Sequence, residues 1–77
     1  MTIQVRFFAS LREQVGIAEK PLTASAGMTV ADVWYQASGL SEIPSNTLMA
    51  VNMEYVSAGQ AVVDGDEVAF FPPVTGG

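Results

Sequence analysis

Ile3, Val5 and Phe7 alternate with Gln4, Arg6 and Phe8 near the start of the chain. Alternation with period two predicts a strand with one buried face. Ser10 then predicts the N-cap of a short helix, with Glu13 closing a capping box and Gly16 ending it. The stretch from Ile17 to Ala24 reads as a second strand. Pro21 puts it near a sheet edge, because its nitrogen cannot donate to a ladder. Thr29 opens the clearest helix, and Asp32, three residues on, completes a capping box in its acidic form. Val30, Val33, Trp34 and Ala37 follow the i, i+3, i+4, i+7 rule, so Trp34 belongs to the core. Gly39 is placed to stop this helix. Leu48 to Val56 is rich in strand formers, with a turn or bend at Asn52. Asp64-Gly65 is a turn signal, and Glu67 to Phe71 makes the last strand.

The order is strand, short helix, strand, helix, then two or three strands. This predicts an α+β domain in which a sheet wraps one amphipathic helix. Period two also sorts the aromatic residues. Phe7 shares a face with Ile3 and Val5, while Phe8 lies on the other face with Gln4 and Arg6. Val68 and Phe70 share one face, and Phe71 points away with Ala69. With the helix on the Phe7 and Phe70 face, Phe8 and Phe71 become neighbours on the outer face. An exposed aromatic pair there suits partner binding. The competing expectation is that loops or a bulge bury both in a satellite cluster.

Charge narrows the partners. The chain has 77 residues and a net charge of −5, with Arg6, Arg12 and Lys20 its three cations. An acidic surface argues against nucleic acid and anionic membranes and suits a basic protein. Asp64, Asp66 and Glu67 form an acidic knot that either steers such a partner or makes a solvated turn. Arg6 and Arg12 either pair with partner carboxylates or, as surface charges, matter little to function. The absence of Cys and His argues against disulfides, thiolate metal sites and His-assisted nucleophilic catalysis. No apolar run reaches the ~18 residues of a spanning helix, and no leader pattern opens the chain, so a cytoplasmic location is expected. Met28, Met49 and Met53 follow no readable pattern.

The sequence closes with Phe70-Phe71-Pro72-Pro73-Val74-Thr75-Gly76-Gly77. Pro72 and Pro73 cannot continue a central strand, so the sheet is expected to stop at Phe71. Paired prolines favour an extended conformation, and six residues project roughly 20 Å. Gly76 and Gly77 have no Cβ and fit a narrow channel. The tip presents an α-carboxylate, a poor electrophile until ATP converts it to an acyl-adenylate. The simpler expectation is a frayed end.

The segment DGDEVAFFPPVTGG, from Asp64 to Gly77, resembles the C-terminus of the molybdopterin synthase small-subunit family. Ile3 to Ala9, Leu11-Arg12-Glu13 and Val15-Gly16 resemble that family's first strand and helix, while Ile17 to Pro44 matches only in pattern. The resemblance implies a β-grasp, ubiquitin-like domain over 1–71, with first and last strands parallel at the sheet centre. It also implies an extended tail over 72–77, in which Pro72, Pro73, Val74, Thr75 and Gly76 enter a partner's active site. Gly77 would be adenylated by an ATP-dependent activating enzyme and converted to a thiocarboxylate. Its sulfur would attack a pterin precursor held by the large subunit, within a heterotetramer of two small and two large subunits. Phe8 and Phe71 would contact the partner. No cofactor would be held stably; AMP would sit on Gly77 only in passing. The same chemistry fits a sulfur carrier for thiamin thiazole synthesis or tRNA thiolation. Two other readings are a ubiquitin-like modifier, for which Lys20 is the one lysine able to extend a chain, and a plain interaction module with an idle tail.

Overall fold

The computed structural model describes residues 2–73. Chain order is β1 (Ile3–Phe7), α1 (Ala9–Val15), β2 (Glu19–Leu22), α2 (Val30–Ser38), β3 (Leu48–Val51), β4 (Glu54–Val56) and β5 (Glu67–Phe71). The five strands form one mixed sheet in the order β2-β1-β5-β3-β4. β1 and β5 run parallel, with Gln4 opposite Glu67 and Phe7 opposite Phe70; all other pairings are antiparallel. This is the α+β, β-grasp arrangement that the sequence led us to expect.

The inner face of the sheet and the apolar stripe of α2 make the core. Ile3, Val5, Phe7, Val68 and Phe70 meet Val30, Val33 and Trp34, all of them fully or almost fully buried. Burying each such side chain contributes about 1.5–3 kcal/mol. Phe7 and Phe70 stack at 5.5 Å, and Trp34 meets both edge-on at 5.6 and 5.0 Å. The Trp34 Nε1–H donates to the Glu42 carbonyl at 2.9 Å, so no polar atom of this aromatic cluster is left unpaired. The predicted ends of α2 both form. Thr29 and Asp32 make the reciprocal capping box, and Gly39, at φ 73°, donates its N–H to the Tyr35 carbonyl.

The start of α1 differs from expectation. Phe8, not Ser10, is the N-cap, and no side chain caps this end. The Phe8 N–H donates to the Phe70 carbonyl at 3.1 Å, prolonging the β1–β5 ladder by one residue. Ladder pairing keeps Phe8 extended, and the chain turns at Ala9, which has φ 51°. The helix therefore begins before Ser10 can cap it, and the Ser10–Glu13 box does not form. The expected stop at Gly16 is correct: it has φ 90° and donates to the Arg12 carbonyl.

The predicted stretch from Ile17 to Ala24 contributes a shorter edge strand, β2. Leu48 to Val56 resolves into a hairpin with a two-residue connection, Asn52-Met53, between the paired Val51 and Glu54. Both connecting residues have positive φ, 50° and 71°, as a type I′ turn requires. β5 ends at Phe71, and Pro72 and Pro73 lie outside any strand, as the prolines predict.

Candidate functional site

The outer face of the sheet holds a concavity of about 300 Å³, lined by Arg6, Phe8, Ala50, Met53, Tyr55, Glu67, Ala69 and Phe71. Its shape follows from residue size at each register position. Arg6, Ala69, Ala50 and Tyr55 form one cross-strand row, through pairings of β1 with β5, β5 with β3 and β3 with β4. Two adjacent alanines make a low floor, and larger side chains stand around it. Phe8 and Phe71 form one wall, stacked with centroids 4.7 Å apart and planes 8° from parallel. Tyr55 meets Phe71 edge-on at 6.4 Å. Ala50, directly opposite Tyr55, is too small to keep the two rings apart.

The structure brings together the two aromatic residues predicted for this face. Phe8 is exposed at 38%, whereas Phe71 is half-buried, flanked by Phe8 and Tyr55. The patch is therefore a supported aromatic wall rather than two free rings. Tyr55, 73% exposed, and Met53, 91% exposed, complete it. Sequence reasoning missed both. Their signal was the hairpin turn, which places 53 and 55 beside the β3 floor.

The charged residues nearby divide by role. Arg6 lies 3.8 Å from Glu19 and 3.6 Å from Glu67, with all three side chains substantially exposed. Such surface pairs contribute about 0–1 kcal/mol. Asp66, part of the predicted acidic knot, is an internal acceptor. It takes the Val63 N–H at 2.9 Å and the Asn52 Nδ2–H at 3.0 Å. Asn52 in turn accepts the Glu67 N–H at 2.9 Å through Oδ1 and donates its own N–H to the Glu67 carbonyl at 2.8 Å. These bonds tie the β3–β4 turn to the start of β5 and hold Met53 at the edge of the concavity. Asp64 is exposed and remains available to a partner.

The tail leaves the sheet from this wall, since Pro72 follows Phe71 directly. Pro72 is half-buried and Pro73 exposed. The candidate residues Val74, Thr75, Gly76 and Gly77 lie outside the described residues. Among the described residues there is no cluster of three or more His, Cys, Asp or Glu suited to a metal, and no helix long and apolar enough to cross a membrane. The concavity offers apolar and aromatic contact with a charged edge, which is the chemistry of protein docking.

Comparison with known proteins gives this geometry a context. The ThiS family profile matches residues 5–77. The chain is 41% identical over 80 residues to the molybdopterin synthase sulfur carrier subunit of Escherichia coli (strain K12), covering 97% of this chain and 99% of that protein. It is 35% identical to the subunit of the same name from Chlamydomonas reinhardtii, covering both chains completely. Among solved structures, SAMP1 from Haloferax volcanii superposes over the whole of both chains with a TM-score of 0.80 at 28% identity.

Proposed function

The chain belongs to the ThiS family, and on that footing we propose that it is the sulfur-carrier subunit of a molybdopterin synthase. One observation carries the reading. The central strand β5 ends at Phe71 inside the aromatic wall, and the next residues are Pro72-Pro73-Val74-Thr75-Gly76-Gly77. A docking face and a slim tail thus share one root. A protein that covers the concavity receives the tail in the same event.

The chemistry belongs to the Gly77 carboxylate. An activating enzyme transfers AMP from ATP to it, releasing pyrophosphate, and a sulfur nucleophile then displaces AMP to leave a thiocarboxylate. In the large subunit, the thiocarboxylate sulfur attacks a carbon of the pterin precursor, and the carbon–oxygen bond there breaks, its oxygen group leaving as phosphate or water. Water then cleaves the resulting thioester, leaving sulfur on the pterin and restoring the Gly77 carboxylate. Two such rounds supply both dithiolene sulfurs. The small subunit brings the nucleophile, and the large subunit supplies the pocket, in a heterotetramer of two of each. The relatives named above support this reading.

The test is the intact mass of the chain after incubation with ATP, the activating enzyme and a sulfur source. The expected gain is that of one oxygen replaced by sulfur, and it is absent when Gly77 is deleted or one residue is added after it. An unchanged mass with an active enzyme would remove the carrier reading. Attachment to another protein's lysine instead would favour the modifier reading, which the likeness in fold to a small archaeal modifier protein of Haloferax volcanii keeps in view.

A further inference from the structure

Met53 occupies a position where the fold alone favours a different residue. It is the second residue of a two-residue type I′ connection, at φ 71°, where glycine fits without steric cost. It is also 91% exposed, the most exposed of the large hydrophobic residues described. A left-handed backbone and a solvated thioether chain are both unfavourable in the isolated domain. Nothing in the core compensates, since Met53 is outside the buried cluster. Such strain persists where the surrounding structure enforces it, and it concentrates at functional positions. Here the enforcement is visible. Asn52 is bonded to Asp66 and to both backbone groups of Glu67, so the turn cannot relax away from the concavity.

We propose that Met53 is a docking anchor, inserting into an apolar pocket of the protein that receives the tail, with basic groups at that pocket's rim. This rests on the concave face being the docking surface of the proposed carrier. The side chain lines the same concavity as Phe8, Tyr55 and Phe71, so the contact continues the surface from which the tail departs. Methionine is flexible and polarizable and fits an irregular apolar pocket. Glu54 follows it in sequence, and Glu67 lines the same concavity, on a chain of net charge −5. Arg6 lines the concavity too and pairs with Glu67 at 3.6 Å, so it is Glu54 and the net charge of the whole chain that favour a basic rim on the partner. The occupant is a hetero-partner and not a second copy, because two chains each of net charge −5 repel one another, whereas a basic partner is attracted.

The test pairs stability with affinity, using the full chain and the purified large subunit of molybdopterin synthase from the same organism. Met53→Gly is expected to leave the melting temperature unchanged or raise it, while weakening the complex at least tenfold by calorimetry. Met53→Leu is expected to bind within threefold of the parent. Met53→Asn, which also tolerates positive φ, is expected to behave like Met53→Gly and provides a second variant without an apolar side chain. Affinity is expected to fall as salt rises. Parent-like binding by Met53→Gly beside a clear loss in Phe71→Ala would overturn the anchor and leave the docking surface standing. Parent-like binding by every variant would remove the surface and the anchor together, whatever the mass of Gly77 shows. A lower melting temperature for Met53→Gly would assign Met53 to the fold. Salt-independent binding would refute the basic rim. A dimer in the parent that dissolves in Met53→Gly would make a second copy the occupant and overturn the proposal.

Discussion

Phe8 and Phe71 lie face to face, 4.7 Å between centroids, joining the residue that follows the first strand to the residue that ends the last. The pair sits where the β1–β5 ladder runs out, with the tail beginning one residue beyond. Stacking of this kind adds about 0.5–1.5 kcal/mol beyond the area it buries.

Phe8→Ala is therefore expected to cost about 1 kcal/mol of stability, because Phe8 is already exposed. Its larger effect falls on the complex with the large subunit, where a loss of tenfold or more in affinity is expected for Phe8→Ala and Phe71→Ala alike. Denaturant melts and titration calorimetry separate the two effects. A loss of stability large enough to unfold either variant would move the pair from the docking surface to the core.

Trp34→Ala is expected to cost about 3–5 kcal/mol. The substitution removes two edge-on aromatic contacts and leaves the Glu42 carbonyl without its donor. For so small a domain this is most of the folding free energy. Circular dichroism at 25 °C should show a largely unfolded chain, whereas Trp34→Phe should remain folded with a lower denaturant midpoint.

The sequence makes some of this plain and hides the rest for physical reasons. Thr29, Asp32 and Gly39 act locally, so their consequences are readable from spacing alone, and both ends of α2 lie where they predict. Period two is equally local, and it placed Phe8 and Phe71 on one face before any pairing was known. The entry to α1 is different. Ser10 and Glu13 satisfy a capping pattern, but the Phe70 carbonyl, over sixty residues away, holds Phe8 and starts the helix early. Local propensity yields to a long-range ladder bond. Met53 carried no pattern because its meaning lies in a backbone angle. The turn reading of the Asp64–Glu67 knot is legible because it is local, and Asp66 does accept the Val63 N–H there. Its bond from Asn52 is not legible, because it depends on a hairpin turn fourteen residues upstream.

Asn52→Ala is expected to cost about 2 kcal/mol. It removes two side-chain hydrogen bonds and puts a residue poorly suited to positive φ at the first turn position. Because Asn52 couples the turn to β5, weaker partner binding should accompany the stability loss. Amide exchange should report it as faster opening at Asn52 and Glu67, while Val33 and Trp34 in α2 stay protected.

β5 is the middle strand of the sheet and the last of the described strands in chain order. Until it arrives, β1 has no parallel neighbour and β3 has only the short β4 beside it, so the docking face has no centre. A translation product broken off upstream of Glu67 therefore lacks the tail and the face together. It cannot sit on a partner as a decoy. The connectivity therefore makes completion of the face depend on the same strand from which Pro72 departs.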